Sequence, residues 1–303
     1  MTKQQFGKAV GFMLISATGL SILGLLGKLF EHVADLSSLV FFRSFSAAVC
    51  CLVFFFAMGH LKINCKNLAL VPNLLRSFCV IGAQYCFYYY IQNASLMNGV
   101  ALLNTGPLFI PFIERIIMGS KIGKSTWISL IISFAGVLLI LQPDMGIFTK
   151  LSFIGLAAGL FQACSQVVFG LNAKGENSEM SVLVTVVMCT IISFIPFLAF
   201  DGSFHPSISS WFYPFLLIFG LGMTTFLNQF ATAKAYKYSS PSKLASFLYI
   251  SVVLAGCYDW LVFKQTPNAM SCLGAGLVIF GGVAKVVLRN RYLKIAEKNI
   301  PPI

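Results

Sequence analysis

Long stretches of this chain are apolar, broken at near-regular intervals by short polar clusters. A run of about 18 or more apolar residues is long enough to cross a bilayer as a helix, since about 30 Å at 1.5 Å per residue takes about 20 residues. Ten such runs are predicted, near 8–29, 36–58, 68–91, 96–118, 125–142, 151–172, 181–200, 211–233, 244–263 and 268–288. The loops between them are short, and none could hold a soluble domain. Lys3 and Lys8 ahead of an apolar run give the first span some likeness to a signal peptide. Small residues from Ser16 to Gly27 offer no clear A-x-A cleavage site, so this span is expected to be retained.

Composition agrees with the pattern. Of 303 residues 58% are hydrophobic and 10% charged, and the mean hydropathy is +0.86. A soluble fold carries about a quarter charged residues for its polar coat, and nine acidic residues cannot build one. The chain is expected to be an all-α integral membrane protein.

A net charge of +12 would suggest nucleic acid in a soluble protein. Here its placement speaks for topology instead. With the N-terminus inside, the inner segments collect Lys3, Lys8, Lys62, Lys66, Lys121, Lys124, Lys174, Lys234, Lys237, Lys243, Arg289, Arg291, Lys294 and Lys298, against Lys28, Lys150 and Lys264 outside. This bias puts both termini in the cytoplasm and requires an even number of spans. The lipid bilayer is thus the expected surrounding, and no nucleic-acid partner is implied.

The two halves share a plan. The segment from Pro107 to Pro143 is an apolar helix, a polar turn and a helix rich in Gly and Ala, and Ser251 to Lys285 repeats it. VGFMLISATGL from Val10 and LSFIGLAAGLF from Leu151 open their halves in similar style. Residues 1–145 and 146–290 then form two five-helix repeats, and 291–303 a basic cytoplasmic tail. Five is odd, so the second repeat enters the membrane inverted, an architecture that places substrate between the repeats near the midplane.

FFRSFSAA at Phe41 to Ala48, NLLRSF at Asn73 to Phe78, NTGPLFIPF at Asn104 to Phe112 and FAGVLLILQP ending at Pro143 resemble the drug/metabolite transporter superfamily in its EamA-type ten-helix branch, over nearly the whole chain. The resemblance implies a carrier of small organic solutes in a cell inner membrane. It also allows a peripheral or dimerising tenth helix, and hence a homodimer. The solute class is left open among amino acids, nucleotide-like metabolites, cations and drugs, with a parallel to S-adenosylmethionine uptake carriers in the arginines of the second and third spans. The Gly-Glu pair that ends the fourth helix of each half in that family is absent, since Gly119-Ser120 and Phe263-Lys264 stand there.

Charges within the hydrocarbon seldom persist without a pore, partner or ligand. Arg43 and Arg76 lie well inside the second and third spans, and their planar guanidinium suits a carboxylate or phosphate. The alternative is a structural arginine that snorkels or bonds helix-end carbonyls. Glu114 and Arg115 are expected as an interfacial charge or inner gate, and Asp259 as a proton or cation site or an interfacial partner of Lys264. Polar residues recur at helical spacing: Gln84 and Tyr88 with Arg76; Gln162 with Gln166; Asn228 with Thr224; Gln229 with Thr225; and Tyr249 with Ser242 and Ser246. With Asn104, these are the candidate substrate-binding residues, each weighed against plain helix–helix glue. Pro107 and Pro111 should kink the fourth span. Gly274, Gly276, Gly281 and Gly282 are expected as close packing contacts in the tenth.

Of the nine cysteines, only Cys65 is in a polar loop, and no CxxC pair occurs. His32, His60 and His205 are scattered over three loops. No metal site, cofactor or catalytic group is indicated, and no phosphate-binding loop supports ATP-driven transport. The expected function is a secondary transporter of a small polar metabolite, an amino acid derivative or S-adenosylmethionine-like solute, working by alternating access. A broad-specificity exporter is the alternative. An integral membrane enzyme would need clustered His, Asp or Glu, and a receptor or scaffold would need long loops or tails.

Overall fold

The computed structural model describes residues 3–30, 35–58, 70–93, 96–119, 122–143, 150–173, 178–199, 212–264 and 267–298. Those residues form twelve helices: α1 (Lys3–Phe30), α2 (Leu36–Ala57), α3 (Leu70–Asn93), α4 (Leu96–Leu103), α5 (Gly106–Met118), α6 (Lys124–Leu141), α7 (Ser152–Asn172), α8 (Ser178–Ala199), α9 (Phe212–Tyr238), α10 (Pro241–Leu248), α11 (Ile250–Phe263) and α12 (Ala269–Lys298). Among the described residues there is no strand.

Among the described residues nine segments are long and apolar enough to cross a membrane, with Asn98–Met118 and Pro241–Val262 each running across a helix break. The remaining long helix, α3, has 24 residues, about 36 Å at 1.5 Å per residue. Asn73, Arg76, Gln84, Gln92 and Asn93 make it less apolar than its neighbours. α12 continues to Lys298, past the point where the apolar run ends.

The helix pairing follows the two halves of the sequence. α1 lies along α9 and α3 along α7, while α2 crosses α8 and α9 and α6 runs beside α12. Small residues permit these close approaches. A Cβ on Gly136 of α6 would stand 2.6 Å from the Gly274 carbonyl oxygen, and one on Gly274 would stand 2.5 Å from the Gly136 oxygen. Gly281 packs as closely on Ser133, but Gly276 faces open space, so the expectation for the four glycines holds for only part of the set.

The two helix breaks fall within the candidate spans Asn98–Met118 and Pro241–Val262. The first lies at Asn104–Thr105, where the Thr105 hydroxyl donates to the Leu102 carbonyl at 2.6 Å and Asn104 Nδ2 to the Val100 carbonyl at 2.8 Å. The same two carbonyls also accept the backbone N–H groups of Asn104 at 2.9 Å and Thr105 at 3.1 Å, so the side chains add a second bond to each at the break. Pro107 follows within the first turn of α5, where its missing N–H costs nothing. Pro111 lies inside α5, which runs through it unbroken. The second break, at Tyr249, contains no proline; there the Ser251 hydroxyl donates to the Leu248 carbonyl at 2.6 Å. The first break presses on α7 through glycines, since a Cβ on Gly159 would meet the Thr105 hydroxyl at 2.6 Å and the Leu102 carbonyl at 2.9 Å.

Candidate functional site: a polar layer around Arg76

Arg76 is 1% exposed and is the largest of the fully buried side chains. Three elements hold it. From α3, Nη1 donates to the Thr185 hydroxyl of α8 at 3.1 Å and Nη2 to Gln229 Oε1 of α9 at 2.6 Å. Its guanidinium carbon lies 3.3 Å from the centroid of the Phe169 ring of α7. Among the described residues no carboxylate pairs with it. Two hydrogen bonds to a charged group, about 1.5–3 kcal/mol each, and the ring contact, of order 1–2 kcal/mol, offset an insertion cost of about 2.5–3.5 kcal/mol. Arg76 can therefore rest here without an anion.

The same end of the bundle is stitched by further polar contacts. Asn73 Oδ1, almost one turn before Arg76, accepts from Asn172 Nδ2 of α7 at 2.8 Å and from the Ser181 hydroxyl of α8 at 2.6 Å. The Tyr236 hydroxyl of α9 donates to Gln166 Oε1 of α7 at 2.8 Å, and its ring stands edge-on to Phe169, with centroids 5.7 Å apart. Lys234 and Glu179 form an ion pair between α9 and α8. Glu114, expected as an interfacial charge or inner gate, is 2% exposed inside the bundle, where it accepts the Ser242 N–H of α10 at 2.8 Å.

Several buried polar atoms have no hydrogen-bond partner. They include Arg76 Nε itself, Arg43 Nε, Gln84 Oε1, Thr225 Oγ1 and the hydroxyls of Tyr85, Tyr90 and Tyr249. Cys189, buried in the middle of α8, lies within electrostatic range of both Arg43 and Arg76. A buried polar group without a partner costs free energy unless a ligand or water meets it.

The candidates from the sequence thus divide. Arg76 and Gln229 touch, and Gln166 joins them through Tyr236 and Phe169. Arg43, Gln84 and Tyr249 carry unpartnered atoms. Gln162 is half-buried beside the first break, close to Gly106. Asn228 donates to the Ser16 carbonyl of α1 at 2.7 Å, a helix–helix tie. Asn104 closes the first break. Tyr88 and Asp259 fall within α3 and α11, with side chains outside the described residues. The sequence reading passed over Asn73, Phe169, Ser181, Thr185 and Tyr236. Extending the Arg76 stripe back by three residues, or pairing Ser181 with Thr185 at four-residue spacing on the eighth helix, would have found three of them.

A family model described as the EamA-like transporter family matches residues 7–142 and matches again at 149–285. The chain belongs to this family. Its members are transporters rather than enzymes, so this is a multi-pass membrane protein that acts on small molecules. The chain is similar to the riboflavin transporter of Vibrio cholerae, 28% identical over 75% of each chain. It is also similar to the pseudopaline exporter of Pseudomonas aeruginosa strain UCBPP-PA14, 23% identical over 87% of this chain and 90% of that one. A further relative is the S-adenosylmethionine uptake transporter of Rickettsia bellii, 21% identical over 89% and 90%. A solved crystal structure 13% identical shares the fold, with a TM-score of 0.78 over 94% of this EamA-like chain and 99% of the other.

Proposed function

We propose that this protein is a secondary carrier that moves a small polar organic metabolite across a bacterial inner membrane by alternating access. Ten spans arranged as two inverted repeats, residues 1–145 and 146–290, with both termini in the cytoplasm, provide the two bundles that rock against each other. The observation that carries the reading is the Arg76 layer. It ties α3, α7, α8 and α9 together at the lysine-rich end of the bundle, and Arg43, Gln84, Thr225 and Tyr249 carry buried polar atoms without partners. On this reading the layer is the closed cytoplasmic gate, and the unpartnered atoms belong to the solute pathway.

A buried Arg76 with no carboxylate partner among the described residues favours a solute that presents an anionic group, such as the carboxylate of an amino acid derivative. When the gate opens, Arg76 loses Thr185 and Gln229 and becomes free to take that anion. Riboflavin and S-adenosylmethionine, named for the relatives, are the first probes. In proteoliposomes the protein should move a member of a panel of these two solutes, amino acids and nucleosides saturably, above protein-free vesicles, with uptake lost in Arg76→Ala. A panel that moves no faster than in empty vesicles contradicts the proposal.

A further inference from the structure

Arg76 belongs to the first matched stretch of the chain, residues 7–142, and the three groups that hold its guanidinium belong to the second, 149–285. Thr185 Oγ1 and Gln229 Oε1 accept from it, and it lies over the Phe169 ring. Phe169 and Thr185 are fully buried. Tyr236, also buried, braces the Phe169 ring edge-on and is itself fixed by Gln166. An aromatic face and two acceptor oxygens together make a seat for a positive charge. Arg76 Nε has no partner, so one donor of the guanidinium already stands ready for an anion.

We propose that this seat is a cation subsite of the carrier and that the transported solute is zwitterionic. This rests on the carrier reading above and names the class of its solute. The solute's anion engages Arg76 through Nε and draws the guanidinium off the ring. Its cationic group then takes that place over Phe169, with Gln229 Oε1 and Thr185 Oγ1 beside it. Each charge changes partner, and the net charge of the layer stays the same. An anion alone would leave the two oxygens without a donor and the ring face bare. A cation alone would bring a second positive charge to a ring that already carries one. Because arginine and seat come from different halves, the exchange also replaces a tie between the halves by contacts to the solute.

Chemical rescue of the purified full-length protein in detergent tests the seat without a transported solute. In Arg76→Ala, millimolar methylguanidinium should raise the thermal midpoint saturably, whereas methylurea, its uncharged analogue, should not. The wild type, whose own arginine fills the seat, should not respond, and adding Phe169→Leu to Arg76→Ala should abolish the rescue. In thermal-shift titrations of the wild type, glycine betaine should bind about tenfold more tightly than tert-butylacetate, which keeps the shape and the carboxylate but has carbon in place of the charged nitrogen. Phe169→Leu alone should remove that preference, and this pair of probes decides the matter if Arg76→Ala does not survive purification. Equal responses to methylguanidinium and methylurea, a wild type that responds like Arg76→Ala, a rescue that survives loss of the ring, or no preference for betaine overturns the proposal. Failure of these tests leaves the carrier reading standing, and failure of uptake leaves the rescue standing.

Discussion

At the scale of residues, Arg76 and Asn73 show how a polar site can be held inside an apolar bundle. Each is met by oxygen or nitrogen atoms from two other helices, which leaves only Arg76 Nε of the guanidinium without a partner in the low-dielectric interior. The arrangement implies an asymmetry between partners. Gln229→Leu removes the 2.6 Å acceptor and leaves an Nη2 group unsatisfied, which should destabilise the protein by about 1–3 kcal/mol. The effect should appear as a lowered thermal midpoint in detergent, and Gln229→Glu, which keeps an acceptor, should not show it. Arg76 was legible in the sequence because a charge within an apolar run stands out. Thr185 and Phe169 were not, since one hydroxyl among apolar neighbours and one of thirty Phe residues carry no signal until the helices are brought together.

At the scale of elements, the two breaks decide how the helices pack. The first was announced by Pro107, although the interruption comes before the proline and Pro111 leaves α5 intact. The second, at Tyr249, has no proline or glycine to mark it, and its serine-to-carbonyl closure becomes visible only in three dimensions. Contact between the first break and α7 depends on Gly159, where even a methyl group would meet the Thr105 hydroxyl and the Leu102 carbonyl within 3 Å. Gly159→Val should therefore cost about 1–3 kcal/mol or more through overpacking. Gly276→Val on α12, where nothing lies within 4 Å, should melt near the wild type. Equal losses at the two positions would show that close approach is not what Gly159 provides.

At the scale of the whole molecule, hydropathy and composition foretold an all-helical membrane protein, because the hydrocarbon imposes both. Which helices touch was beyond their reach, since lipid-facing and partner-facing apolar residues look alike in one dimension. The central claim is that the Arg76 layer seals the cytoplasmic end while the interior behind it stays polar. Cys189 is the natural reporter, being buried on α8 within electrostatic range of Arg76 and Arg43. In a variant that retains Cys189 alone among the nine cysteines, a membrane-impermeant thiol reagent should be applied from the cytoplasmic face. Labelling should be slow with Arg76 in place and about tenfold or more faster in Arg76→Ala, as the seal opens. Equal labelling rates with and without the arginine would contradict the account.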